Sequence, residues 1–163
     1  MIDKQTQKWS RIVVLDAFEY PQHAGLSTDG RLCFLAEYDD VEYLVWDIRD
    51  RKVIWRANAP DLNTWIQDGH IEITEGAAKG SYRIFGLHYK HALQENRALD
   101  IALNLDEEND LLILTQISTG QVIQQLKYES STDWAYTSFS DDCSVIAVLT
   151  THSVTFFGQL LSI

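Results

Sequence analysis

A chain of 163 residues fits a single domain, 1–163, large enough to bury a core without disulfides or a structural metal. Its 24 carboxylates against 13 Lys and Arg give a net charge of −11, which argues against nucleic acid, because a phosphate backbone is held chiefly through Lys and Arg. A hydrophobic share of 45% excludes a disordered chain, no run is long enough to span a bilayer, and the N-terminus MIDKQTQKWS lacks a signal peptide's apolar region, so a cytoplasmic protein away from membranes is expected.

In chain order, RIVVLD (11–16), RLCFLAE (31–37) and VEYLVWD (41–47) are the first strand-like segments. In the third, Leu44 and Trp46 fall on one side of an extended chain and Val45 and Asp47 on the other, so both faces have something to pack. A polar RDRK hairpin follows, and then KVIWRA (52–57), with Val53 and Trp55 expected inward and Ile54 outward. SYRIFGL (81–87) is another strand, whereas YKHALQENR (89–97) carries a helical signal without a sustained apolar stripe.

ALDIALNL places Leu99, Ile101, Leu103 and Leu105 at period two, which sends them to one face of a strand. DLLILTQI (110–117) and CSVIAVLT (143–150) are unbroken apolar runs, expected for strands covered on both faces. QVIQQLKY (121–128) and SVTFF (153–157) complete the set, and the chain reads as all-β. Cys33 and Cys143 both sit in apolar runs, where a reduced cysteine acts as a small hydrophobe.

Turns carry the organisation. Asp29 and Asp68 each precede a Gly, Asp106 and Asp142 occupy similar settings, and the four are spaced 39, 38 and 36 residues apart. Asp-Gly favours tight hairpins, since Gly takes positive φ freely and the carboxylate accepts local backbone hydrogen bonds. A period near 40 residues of short antiparallel strands predicts about four propeller-like repeats, a small or incomplete β-propeller, with a β-sandwich as the alternative. On this basis all four Asp turns are expected on one side of the array.

Residues 25–57 resemble a WD-repeat blade: Ser27, Asp29 and Gly30 match the Ser-x-Asp-Gly turn of that family, and Trp46 and Asp47 match its Trp-Asp pair. Residues 110–127 and 134–157 match in part. Cys143 stands where the family has Gly, and the STG of the third repeat comes one strand too early. The resemblance implies a rigid scaffold that holds partner proteins on its loops.

Closure is left open by the sequence. An open array exposes a sheet edge and favours a homodimer, whereas pairing of residues 8–16 with the C-terminal strand latches one chain on itself. Residues 8–16 alternatively form the inner strand of the first repeat.

No motif points to catalysis, and neither a metal nor a cofactor is expected. His88 and His91 lack further ligands nearby, and the acids of NLDEEND lack the central Gly and distal Glu of a calcium loop. The expectation is a non-catalytic protein–protein interaction module with an unidentified, basic protein partner. Its candidate partner-binding residues are Tyr38, Asp39, Asp40, Asp61, Glu129, Asp133 and Trp134, gathered on the side opposite the Asp turns. The alternative is a small acidic inhibitor or immunity-type protein that neutralises a basic toxin enzyme.

Overall fold

The computed structural model describes residues 8–15, 23–36, 42–58, 65–86, 92–129 and 134–160. Every named element among them is a strand: β1 (Lys8–Leu15), β2 (His23–Ser27), β3 (Leu32–Ala36), β4 (Glu42–Asp47), β5 (Lys52–Asn58), β6 (His70–Ile73), β7 (Gly80–Gly86), β8 (Glu95–Asn96), β9 (Ile101–Asp106), β10 (Leu111–Gln116), β11 (Val122–Lys127), β12 (Ala135–Phe139), β13 (Val145–Thr150) and β14 (Val154–Leu160). The all-β expectation holds. These strands form three antiparallel sheets, a large one ordered β5-β4-β3-β2-β7-β6, a middle one ordered β1-β14-β13-β12 and an end sheet ordered β11-β10-β9-β8.

Each four-stranded unit is blade-like, and the sheets pack face to face. The middle sheet is buried on both faces because β13 alternates its contacts: Val145, Ala147 and Leu149 join Leu44 and Trp46 of the large sheet, while Ile146 and Val148 join Leu103 and Leu112 of the end sheet. This is why CSVIAVLT is apolar at successive positions. The similar run in β10 is not covered on both faces as expected: Leu112 and Leu114 are buried, but Leu111 and Ile113 are only half-buried on the other face. Leu99, Ile101, Leu103 and Leu105 do share one face, turned to the middle sheet.

The far face of the large sheet carries Phe34, Tyr43, Val45, Tyr82 and Ile84, with Trp55 and Trp65 packed against them. Strands β6 and β7 extend this sheet to six strands. Instead of founding a sheet of their own, they add to its inner edge through β7, which pairs with β2 over His23↔Gly86 to Ser27↔Tyr82. Gly25 is required there, since a Cβ would lie 2.7 Å from Ile84 Cδ1 and within 3.3 Å of Tyr82 and Phe34.

The N-terminus closes the middle sheet. β1 pairs antiparallel with β14 from Lys8↔Leu160 to Leu15↔Val154, so residues 8–15 are the latch and not the inner strand of the first repeat. A bulge at Ile12 shifts the register between Arg11 and Val13. That extra residue changes the parity of the strand: Trp9 enters the core shared with the end sheet, and Leu15 enters the core shared with the large sheet.

A second bulge corrects another expectation. The register of β4 and β5 shifts between Val45↔Trp55 and Trp46↔Val53, leaving Ile54 unpaired. Val53 therefore packs beside Trp46, while Ile54 and Trp55 both pack on the far-face core.

Candidate functional site

The hairpin turns decide which residues share a surface. In the turn between β2 and β3, Asp29 Oδ1 accepts the Ser27 hydroxyl at 2.8 Å and the Arg31 N–H at 3.0 Å, while Ser27 Oγ accepts the Leu32 N–H at 2.9 Å. Between β12 and β13 the pattern repeats, with Asp142 Oδ1 accepting the Ser140 hydroxyl at 2.7 Å and the Ser144 N–H at 2.9 Å, and Ser140 Oγ accepting the Val145 N–H at 3.2 Å. Gly30 and Cys143 occupy equivalent places with φ of 74° and 60°. Cys143 is thus a turn residue, half-buried, while Cys33 is a buried core thiol; both are free.

The two turns touch, the Asp142 N–H donating to the Thr28 carbonyl at 3.0 Å. They define one end of the sheets, the turn end.

Two of the four Asp turns differ from expectation. Asp68 and Gly69, with φ of 53° and 77°, make a two-residue turn that closes only the Gln67↔His70 bridge. Asp106 caps the β9–β10 connection, where its Oδ1 accepts the Asn109 N–H at 3.3 Å. The first turn of the end sheet lies instead between β8 and β9, and the third lies at 117–121. In both the large and end sheets the carbonyl of the last residue in the first turn, Arg31 or Asp100, accepts an N–H from the third turn, Ile48 or Ile117. STG therefore comes at its proper place, and Asp106 sits at the opposite end.

That correction assembles an acidic end. Glu107 Oε1 accepts the Ala135 N–H at 2.9 Å, at the start of β12 and so away from the Asp142 turn. Asp110 O accepts the Tyr128 N–H at 3.1 Å. Burial first, and then the carboxylates of Asp110, Glu107 and Asp106, push the Tyr128 hydroxyl up to about 12. Glu129 is exposed and reaches Arg11 at 3.8 Å. Trp134 lies half-buried, its ring 5.3 Å from that of Tyr136. Of the expected partner-binding residues, Glu129 and Trp134 are thus at this end, and Tyr38, Asp39, Asp40, Asp61 and Asp133 lie outside the described residues, as do His88 and His91. The sequence reading missed Asp106, Glu107, Glu108 and Asp110 as members of this end, because the Asp spacing placed them one strand out of frame.

A polar clamp forms elsewhere. Asp141 Oδ1 accepts the Arg83 Nε–H, and its Oδ2 lies 3.0 Å from His70 Nε2, while His70 Nδ1 lies 3.0 Å from the Asp68 carbonyl. Both imidazole nitrogens face acceptors, so the ring ties β6 to the middle sheet and has no lone pair turned toward the adjoining 490 Å³ groove lined by Trp65, Gln67, Glu72 and Ser81. Among the described residues no group of three or more His, Cys, Asp or Glu is placed to hold a metal, and no helix is long and apolar enough to cross a membrane.

No family model matches the chain, and no curated protein matches it. Among solved structures the chain is similar to the hydrazine synthase of Kuenenia stuttgartiensis, with 16% identity over 82% of this chain and 30% of that one, at a TM-score of 0.31. It is also similar to the β-propeller domain of Cps50 (Swd1) from Myceliophteria thermophila, with 10% identity over 92% of this chain and 54% of that one, at a TM-score of 0.34. The chain spans about a third and about half of those two lengths. At such scores the architecture rests on the sheets themselves, and any functional reading rests on the chemistry of the surface.

Proposed function

We propose that the chain is a WD-repeat-like, non-catalytic interaction module whose acidic end receives a basic protein partner. The observation that carries this reading is the gathering of Asp106, Glu107, Glu108, Asp110 and Glu129 at one end of the sheets with Trp134, in a chain whose net charge is −11. A carboxylate rim speeds encounter with a cationic patch and suppresses acidic competitors, while a half-buried aromatic supplies apolar contact area. Tyr38, Asp39, Asp40, Asp61 and Asp133 belong to the same proposal. The Ser27-Asp29-Gly30 turn and the Trp46-Asp47 pair support the WD-repeat-like description, as does the left-handed Cys143 in the Gly position.

The test uses the chain as bait in quantitative capture, beside a variant with Asp106→Asn, Glu107→Gln, Glu108→Gln and Asp110→Asn. A basic partner whose association slows in the variant and weakens steeply with salt supports the proposal. Equal capture by both chains at low and high salt overturns it. An acidic inhibitor of a basic toxin enzyme would use the same surface, and is distinguished by loss of the captured partner's enzymatic activity on binding.

A further inference from the structure

A different groove opens at the turn end, where the β1 bulge lies beside the turns of the large sheet. It has a volume of about 380 Å³ and is bordered by Ile12, Asp29, Arg31, Ile48, Arg49, Arg51 and Val145, with Gly30 in its floor. Its floor is apolar: Ile48 and Val145 are buried, whereas Ile12 on the bulge keeps 37% of its surface exposed. Gly30 keeps the floor flush, since a Cβ there would lie 2.7 Å from Ser144 Oγ and 2.8 Å from Val145 Cγ2.

The charges on the rim are unequally satisfied. Arg31 is held by Asp47 at 3.2 Å and Asp50 at 3.6 Å, and Asp29 spends its Oδ1 on the Ser27 hydroxyl and the Arg31 N–H. Arg49 and Arg51 take part in none of the ion pairs of the described residues, and the Arg51 guanidinium only approaches the Ile12 carbonyl at 3.5 Å. Both are exposed. Two guanidiniums with no carboxylate partner among the described residues, beside an apolar floor, are complementary to an anion that carries apolar side chains.

We infer that this groove docks an acidic peptide segment of a partner protein, with a carboxylate on Arg49 and Arg51 and a neighbouring aliphatic side chain on Ile12, Ile48 and Val145. A free inorganic anion would use the rim and leave the apolar floor bare. The inference is independent of the acidic end, which belongs to the other side of the sheets and the opposite charge.

The probe is a short fluorescent peptide of alternating Asp and Leu, followed by anisotropy at low salt. Binding by the native chain should weaken at least about tenfold in the Arg49→Glu, Arg51→Glu variant, and by a similar factor when the peptide's Asp is changed to Asn or its Leu to Ser. Because both arginines are exposed, the variant should melt like the native chain, and Arg49→Gln with Arg51→Gln provides a milder pair should it not. Undiminished binding to folded variants overturns the inference. So does equal binding of the Leu-to-Ser peptide with displacement by inorganic phosphate, which would make the groove a bare anion site. Self-association of the native chain that the charge reversal abolishes would also overturn it, by assigning the groove to a second copy.

Discussion

Trp46 is the residue on which the packing of the large and middle sheets converges, 6% exposed and stacked on Phe156 with ring centroids 5.8 Å apart. Trp46→Ala should cost about 3 to 5 kcal/mol, read as a fall in the urea midpoint with an unchanged slope. A pair of glycines separates backbone strain from steric crowding. At Gly120, with φ of 73°, an added Cβ would meet nothing within 4 Å, so Gly120→Ala should cost about 1 kcal/mol of left-handed strain. Gly30, at φ 74°, would add the collision with Ser144 and Val145, so Gly30→Ala should lower the melting midpoint clearly further. Equal losses in the two variants would show that Ser144 and Val145 give way at no cost.

At the scale of elements, β1 is the strand that changes the character of the middle sheet. Without it β14 would present an edge, and Trp9 and Leu15 would leave holes in two cores. The edge of β1 is in turn tied to the end sheet, the Gln124 side chain accepting the Trp9 N–H at 3.0 Å and donating to the Trp9 carbonyl at 2.7 Å. Deleting residues 1–15 should therefore remove cooperative unfolding, followed by circular dichroism. The intact 163-residue chain, with the β14 edge covered by β1, should scatter light as a monomer near 18.7 kDa. A stable truncated chain, or a dimer of the intact chain that the truncation dissociates, would contradict the latch as the closing device.

For the whole molecule, the balance of turn carboxylates predicts the acid limb of stability. Burial works against the charge of Asp47, Asp141 and Asp142, but hydrogen bonds outweigh it and hold all three below the usual carboxylate range: those of Asp50 and Arg31 to Asp47, of Arg83 and His70 to Asp141, and of Ser144 and Ser140 to Asp142. A depressed folded pKa stabilises above the unfolded value of about 4 and is lost as pH falls through the folded value. Denaturant midpoints should thus hold from neutrality to about pH 4 and fall below it, with Asp141→Asn flattening the decline. At the alkaline end the sign reverses. Burial raises the Cys33 thiol and, with nearby carboxylates, Tyr128, so stability should fall as pH rises past about 8.5 to 10, where these groups ionise in the unfolded chain.

Local sequence already specifies the strand class, the shared face of Leu99, Ile101, Leu103 and Leu105, the two-sided packing of Trp46 and Val45, and the Asp29 and Asp142 turns. Each of these depends on local periodicity or on hydrogen bonds within a few residues, which a chain displays without knowing its partners. Long-range packing sets the rest. β2 was illegible because HAGLS owes its place to β3 and β7 on either side and to the closeness that Gly25 permits. The bulges at Ile12 and Ile54 reverse which face a strand presents, and nothing in local sequence spacing announces a single unpaired residue. The β6–β7 hairpin joined the large sheet because an inner edge was available there, and the frame of the third repeat was fixed by the turn contacts of Asp100 and Ile117 and not by the recurrence of Asp. Both candidate surfaces have the same origin: Glu107 meets Ala135, and Ile12 meets Arg51, only because sheet packing brings together segments that the chain keeps far apart.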